Sequence, residues 1–259
     1  MVWIKKNIRL YLSLWVLMCV CLLSFQLQVN TVENDKSNIS QILKDKEPHI
    51  WVFTGNSITQ GAKHTHGMRA YPEIFSERVR FEMGRSRDYV INTAVSGHTT
   101  RDLLDDFERR IGRFEPSVVI LMVGTNDAAI SNHISIEEFA KNLSQLIKKI
   151  RDIGAIPVIM SPNIIIETEA PERDRLSQYV VKIKETAQTN EIIFVDNWML
   201  WNTDMQKKYE GRVFEQLLND PLHPNGLGHK EIAFALFKSL AIFDPNQPSC
   251  GSPYYEGEH

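Results

Sequence analysis

The sequence predicts an α/β domain, a three-layer α/β/α sandwich built on a five-stranded parallel sheet, and three observations predict it. Five short runs of β-branched and other apolar residues alternate with segments of helical apolar spacing, the order of elements that makes a parallel sheet with helices on both faces. The third run, Ser117 to Val123, is almost continuously apolar and suits a strand buried on both faces. Two of the runs stop at a glycine, Gly55 and Gly124, followed at once by small polar residues. At 259 residues the chain has room for one such domain of about 200 to 250 residues.

The elements are read in chain order. Lys5, Lys6 and Arg9 precede an apolar run from Leu10 to Leu27, which reads as an export signal. Two versions stay open over residues 1–28: a cleaved signal peptide, or an uncleaved anchor, since about 18 apolar residues nearly span a bilayer. Residues 29–47 are polar and read as a linker to the domain at 48–243. Ile50 to Thr54 is the first strand. Pro72 to Met83 is a helix with proline in its first turn and Ile74, Phe75 and Val79 on its apolar side. Tyr89 to Val95 is the second strand, and Thr100 to Ile111 a helix with Leu103, Leu104, Phe107 and Ile111 on one face. After the third strand, Ile136 to Ile153 carries the clearest amphipathic spacing: Phe139, Leu143, Leu146, Ile147 and Ile150. Ile156 to Met160 is a strand, Arg173 to Gln188 a helix, and Glu191 to Val195 the last strand. A helix from Gly226 to Phe243 closes the domain, and 244–259 is expected to be a loose tail. Right-handed crossovers leave the order 2-1-3-4-5, that of a flavodoxin-like sheet, as the natural topology.

Composition sets limits. The apolar and charged fractions, 43% and 24%, are those of a globular domain. A net charge of −3, without a basic block in the body of the chain, predicts no nucleic-acid partner. Cys19 and Cys21 lie in the apolar run, so the body holds Cys250 alone and forms no internal disulfide. Membrane contact is expected only through the amino-terminal segment, if it stays attached.

The chemistry gathers at the strand ends. The first strand runs into Gly55-Asn56-Ser57, the second into Ser96-Gly97, the third into Gly124-Thr125-Asn126-Asp127; Asp220-Pro221-Leu222-His223 precedes the last helix. Ligands of open α/β sheets collect beyond the carboxyl ends of the strands. Acyl transfer needs a nucleophile, a base, a group that orients the base, and donors for the oxyanion. Ser57 is the candidate nucleophile and His223 the base. Asp220, three residues earlier, can hold the imidazole Nδ1–H and leave Nε2 towards the serine. The oxyanion donors would be the Ser57 and Gly97 backbone N–H groups and the Asn126 amide.

These segments resemble the motif blocks of the SGNH (GDSL-like) hydrolases, over about residues 50 to 243 and in the family's order. The resemblance implies esterase or lipase chemistry on a flavodoxin-like fold, with Ser57, Gly97, Asn126 and His223 as the four naming residues and Asp220 completing a triad. Asn56 departs from the family, which usually has aspartate there, and leaves the pH profile open. Asn126-Asp127 also fits an Asx-type cap after the strand, Asp127 capping while Asn126 reaches inward.

His64, His66 and Arg69, in the polar loop after the serine, are candidates for substrate contacts. His64-x-His66 lacks the further ligands of a metal site, so neither metal nor cofactor is expected. Trp198 and Trp201 read as core residues, with a sugar-stacking platform as the alternative. The expected function is a serine esterase acting on small acyl esters, acetyl foremost, of a small molecule or glycan. The polar loop favours an O-acetylated carbohydrate. Acyl transfer to a sugar hydroxyl, or a non-catalytic carbohydrate-binding protein on the same fold, are the alternatives.

Overall fold

The computed structural model describes residues 31–61 and 63–254. The export segment expected at 1–28 lies outside them. Among the described residues no helix is long and apolar enough to cross a membrane.

Helix α1 covers residues 31–42. Then come β1 (Ile50–Gly55), α2 (Ser57–Gln60), α3 (Tyr71–Glu77) running into a π-type turn at Arg78–Glu82, and β2 (Tyr89–Asn92). Helices α4 (Thr100–Asp105) and α5 (Phe107–Arg110) lead to β3 (Val118–Met122), α6 (Ile136–Asp152), β4 (Ile156–Met160), α7 (Leu176–Thr189) and β5 (Ile193–Val195). Three short helices follow, α8 (Asn197–Asn202), α9 (Asp204–Lys208) and α10 (Val213–Leu217), before α11 (Gly226–Ser239).

The strands pair in the order β2-β1-β3-β4-β5, all parallel, as the alternation of elements predicts. Because side chains alternate across a strand, β1 and β3 feed two cores. Trp51, Phe53, Val118, Ile120 and Met122 join one, with Ile39 of α1, Phe75 of α3 and Leu236 of α11. Val52, Val119 and Leu121 join the other, with Leu103 of α4, Leu146 of α6 and Ile183 of α7. Each fully buried side chain of this kind contributes about 1.5–3 kcal/mol. Helix α6 follows its predicted face: Phe139, Leu143, Leu146, Ile147 and Ile150 are all buried.

Three expectations are corrected. Within the supposed linker 29–47, residues 31–42 are helical; Ile39 is buried in the core and Asp35 binds Arg151 at 2.6 and 3.1 Å. The helix expected over Thr100 to Ile111 breaks at Asp106, whose φ of −109° and ψ of 19° lie outside the helical region. The tail expected to be loose packs as far as it is described: Ser249 donates to Glu82 through backbone and hydroxyl at 2.8 and 2.5 Å, and Cys250 is buried. Trp201, by contrast, is wholly buried and is the core residue expected from the sequence.

Candidate active site

The site begins where β1 must stop. Gly55 has φ +152°, and a Cβ there would run into the Met122 carbonyl oxygen of the neighbouring strand, so a bare backbone is required. Asn56 is extended (φ −114°, ψ −155°) and caps α2 by accepting the Ile58 N–H on Oδ1 at 3.1 Å. An asparagine oxygen thus does the capping that the usual aspartate would do. Its buried Nδ2 finds no partner among the described residues. Ser57 is the first residue of α2, where the helix itself offers its N–H no acceptor.

The opposite wall is the loop before α11. Ile166 N–H donates to the Pro221 carbonyl at 2.9 Å, and Asn163 Nδ2 to the Leu222 carbonyl at 3.1 Å, so the segment after β4 pins this loop. Asn219 N–H donates to the His223 carbonyl at 2.8 Å, and Asn225 caps α11 through Leu227 and Gly228 N–H. Held this way, His223 Nε2 lies 2.8 Å from Ser57 Oγ, and His223 Nδ1 lies 2.9 Å from both oxygens of Asp220. The Asp220 carboxylate also accepts the backbone N–H groups of Leu222 and His223 at 2.9 and 2.8 Å.

Burial alone would raise the Asp220 carboxyl, but those two backbone donors and the imidazole outweigh it and hold the group below the ordinary carboxylate range. Burial also lowers His223. Asp220 opposes that shift, His64 and Arg173 reinforce it, and the ring ends below the usual value of 6.5. His229, deeper in α11, is pushed by burial down to about 3 and is neutral; its Nδ1 accepts the Tyr71 N–H at 3.3 Å.

His64 lies face to face with His223, ring centroids 3.5 Å apart and planes 5° from parallel, with its Nδ1 3.0 Å from Asp220 Oδ2. The candidate donor atoms of His64, Asp220 and His223 fall within 4.8 Å of one another, and among the described residues this is the group that could hold a metal ion. The Nδ1 atoms of both histidines turn to the same carboxylate oxygen, Asp220 Oδ2, at 3.0 and 2.9 Å. His66 instead bonds Asn219. Arg69 binds Glu77 at 3.2 Å and lies against the Tyr254 ring and hydroxyl.

Gly97 sits in the turn after β2 at φ +82°, and Ser96 N–H donates to Gln60 Oε1 of α2 at 3.0 Å. Asn126, 6% exposed, donates its Nδ2 to the His98 carbonyl at 3.0 Å. Asp127 does not cap its own turn alone. It accepts Gly124 N–H at 3.1 Å and reaches across to Thr100, whose N–H and hydroxyl it binds at 2.8 and 2.6 Å. The glycine turn and the asparagine therefore meet at His98, and α2 is tied to the glycine turn through Gln60.

The model of the GDSL-like lipase/acylhydrolase family matches residues 53–231. The chain belongs to this family. It is therefore a carboxylic ester hydrolase. An acetylxylan esterase of Geobacillus stearothermophilus is 25% identical over 208 residues, covering 74% of this chain and 93% of that protein. An isoamyl acetate-hydrolyzing esterase of Saccharomyces cerevisiae is 23% identical over 210 residues, covering 75% and 87%. Among solved structures, an alpha/beta hydrolase enzyme from the metagenome of Lake Arreo superposes with a TM-score of 0.64 at 22% identity, covering 76% of this chain and 96% of the other. A variant of an acetyl xylan esterase from G. stearothermophilus gives 0.62 at 22% identity, with 75% and 95% covered. At such identities these superpositions establish the fold alone.

Within this GDSL-like hydrolase, two arginines escaped the sequence reading. Arg110, 2% exposed, donates to the Gly55 carbonyl at 2.7 Å, Thr54 Oγ1 at 3.1 Å and the Thr93 carbonyl at 3.1 Å, and pairs with His98 Nδ1 at 3.0 Å. Burial draws it down to about 10, still protonated at neutral pH. Arg173 donates to the Thr125 carbonyl at 3.1 Å and to Asn126 Oδ1 at 3.2 Å. Neither carries a local signal in the sequence, because each acts on loops at least 12 residues away.

Proposed function

We propose that the chain is a serine esterase that removes small acyl groups, acetyl foremost, from an O-acylated carbohydrate through an acyl-enzyme on Ser57. The observation that carries the reading is the unbroken contact chain from Asp220 through His223 to Ser57, at 2.9 and 2.8 Å. His223 Nε2 takes the Ser57 hydroxyl proton as Oγ adds to the ester carbonyl. Asp220 keeps the other ring nitrogen protonated and steadies the imidazolium. The Ser57 and Gly97 N–H groups and Asn126 Nδ2 receive the oxyanion. Collapse of the adduct breaks the bond to the alkoxide, which leaves with the proton from His223. Water then gives its proton to His223 and adds to the acyl carbon; release of the carboxylic acid returns the proton to Ser57.

The carbohydrate half of the reading is supported by the polar loop Lys63 to Arg69 beside the serine, and by the name of the acetylxylan esterase relative. Export or envelope attachment is part of the same proposal and rests on Lys5, Lys6, Arg9 and the apolar run after them. The test compares residues 29–259 with Ser57→Ala on p-nitrophenyl acetate, p-nitrophenyl decanoate and acetylated xylo-oligosaccharide. Acetate release by the wild type alone is expected. Equal activity of the two proteins would remove Ser57 from the mechanism, and faster turnover of the decanoate than of either acetyl ester would remove the small-acyl reading.

A further inference from the structure

An oxyanion hole that relies on a side-chain amide has a weakness that a backbone N–H lacks. The amide can turn over, presenting oxygen where a donor is needed. At Asn126 both ends of the amide are spoken for. Nδ2 gives one hydrogen to the His98 carbonyl at 3.0 Å, and Oδ1 takes one from Arg173 Nη2 at 3.2 Å. Turned over, the NH2 group would face a guanidinium and the oxygen would face a carbonyl, donor against donor and acceptor against acceptor. The second hydrogen of Nδ2 is left over.

Arg173 grips more than the side chain. Its Nε binds the Thr125 carbonyl at 3.1 Å, which belongs to the peptide leading into Asn126. Asn132 Nδ2 holds the Asn126 carbonyl at 2.8 Å on the other side. One planar fork thus fixes both the backbone and the amide, a task suited to a guanidinium and not to an ammonium. Among the described residues, no carboxylate forms an ion pair with Arg173. The half-buried cation, which feels the charge of Glu172 without pairing with it, acts on His223 as well and adds positive charge to the site.

We propose that Arg173 is a positioning residue of the oxyanion hole, locking the Asn126 amide with Nδ2 towards the substrate and strengthening it as a donor. The proposal rests on Asn126 serving the oxyanion in the reading above. A carbonyl oxygen becoming an anion gains from a donor whose own acceptor end is drawn on by a cation.

The experiment is a double-mutant cycle on kcat for p-nitrophenyl acetate with wild type, Arg173→Ala, Asn126→Ala and the double variant. Arg173→Ala is expected to lower kcat about 10- to 100-fold with KM changed less than threefold, because the contact matters most in the transition state. Arg173→Lys should recover less than a third of the loss, since an ammonium cannot hold both oxygens in the same plane. In the Asn126→Ala background, removing Arg173 should cost less than threefold. An equal loss in both backgrounds would show that Arg173 does not act through Asn126 and would overturn the proposal. So would a kcat within threefold of wild type in Arg173→Ala. Arg173→Met, which keeps the apolar stem, replaces the alanine variant should the latter fail to fold, and the same cycle applies. The underlying reading fails separately: if Asn126→Ala alone leaves kcat within threefold, Asn126 is not an oxyanion donor, whatever Arg173 does.

Discussion

Replacing Asp220 with asparagine changes one atom and inverts the hydrogen-bond logic of the proposed triad. Oδ1 of Asp220 accepts the Leu222 and His223 N–H groups at 2.9 and 2.8 Å. An asparagine must keep its oxygen there, because its NH2 group would otherwise face two donors. The NH2 then takes the place of Oδ2, 2.9 Å from His223 Nδ1. Where Nδ1 accepts from that NH2 group instead of donating to the retained Oδ1, also 2.9 Å away, the ring proton moves to Nε2, the atom 2.8 Å from Ser57 Oγ that must receive a proton. For a deeply buried triad aspartate elsewhere this exchange costs about 10⁴ in kcat. Here the Asp220 side chain is 32% exposed. Water can support part of the imidazolium, so the expected loss is about 10²–10³, or about 3–4 kcal/mol. The assay is steady-state hydrolysis of p-nitrophenyl acetate between pH 6 and 9, with Ser57→Ala as the blank. Activity in Asp220→Asn within threefold of wild type would refute the reasoning and leave His223 oriented by something else, the stacked ring of His64 being the nearest candidate.

Three other outcomes are expected. The base works only as neutral imidazole, and burial, aided by His64 and Arg173 against Asp220, holds His223 below 6.5. The acidic limb of kcat/KM should accordingly have its midpoint below pH 6.5, activity falling as pH drops through it; a midpoint at or above that value would contradict the assignment. Gly55→Ala, which forces a Cβ against the Met122 carbonyl at a positive φ, should lower stability in urea by about 3 kcal/mol or more, and a loss under about 1 kcal/mol would mean that β1 can shift to make room. Asp35→Ala removes a buried partner of Arg151 and should cost about 1–3 kcal/mol in the same measurement. An unchanged midpoint would mean that α1 is only laid against the domain.

The parts of this protein legible in its sequence are those that obey a local period. Val118 to Met122 declares a strand covered on both faces, and Phe139 to Ile150 declares a helix with one apolar side. The strand-end residues could be read because glycine, asparagine and histidine are costly to place there without a reason, and because Asp220 and His223 are three apart. Helix α1 was hidden because its buried positions are few: Ile39 and the paired Asp35 stand among exposed polar residues. Helices α8, α9 and α10 are five or six residues each, too short to display a helical repeat. The break at Asp106 leaves Phe107 and Ile111 buried, so the apolar pattern runs on through it and gives no warning. Arg110 and Arg173 look like any solvated arginine until the fold brings carbonyls to them.

The amino ends of the strands are where the first described segment is fastened to the domain. Asp35 of α1 is fastened to Arg151, which also reaches the Glu191 carbonyl just before β5. Arg85 ties the carbonyls of Asp45 and Glu47 just ahead of β1. The chain therefore enters the domain across the amino edge, with Ser57 at the other end of the strands. A bead or surface coupled at residue 31 would pull against the Asp35–Arg151 pair and leave the esterase mouth facing bulk solvent. Coupling at the far end is another matter, because Tyr254 rests on Arg69 and Ser249 on Glu82. A support fixed there would crowd the loop that carries His64, and bulky acetylated chains would feel the obstruction before p-nitrophenyl acetate did.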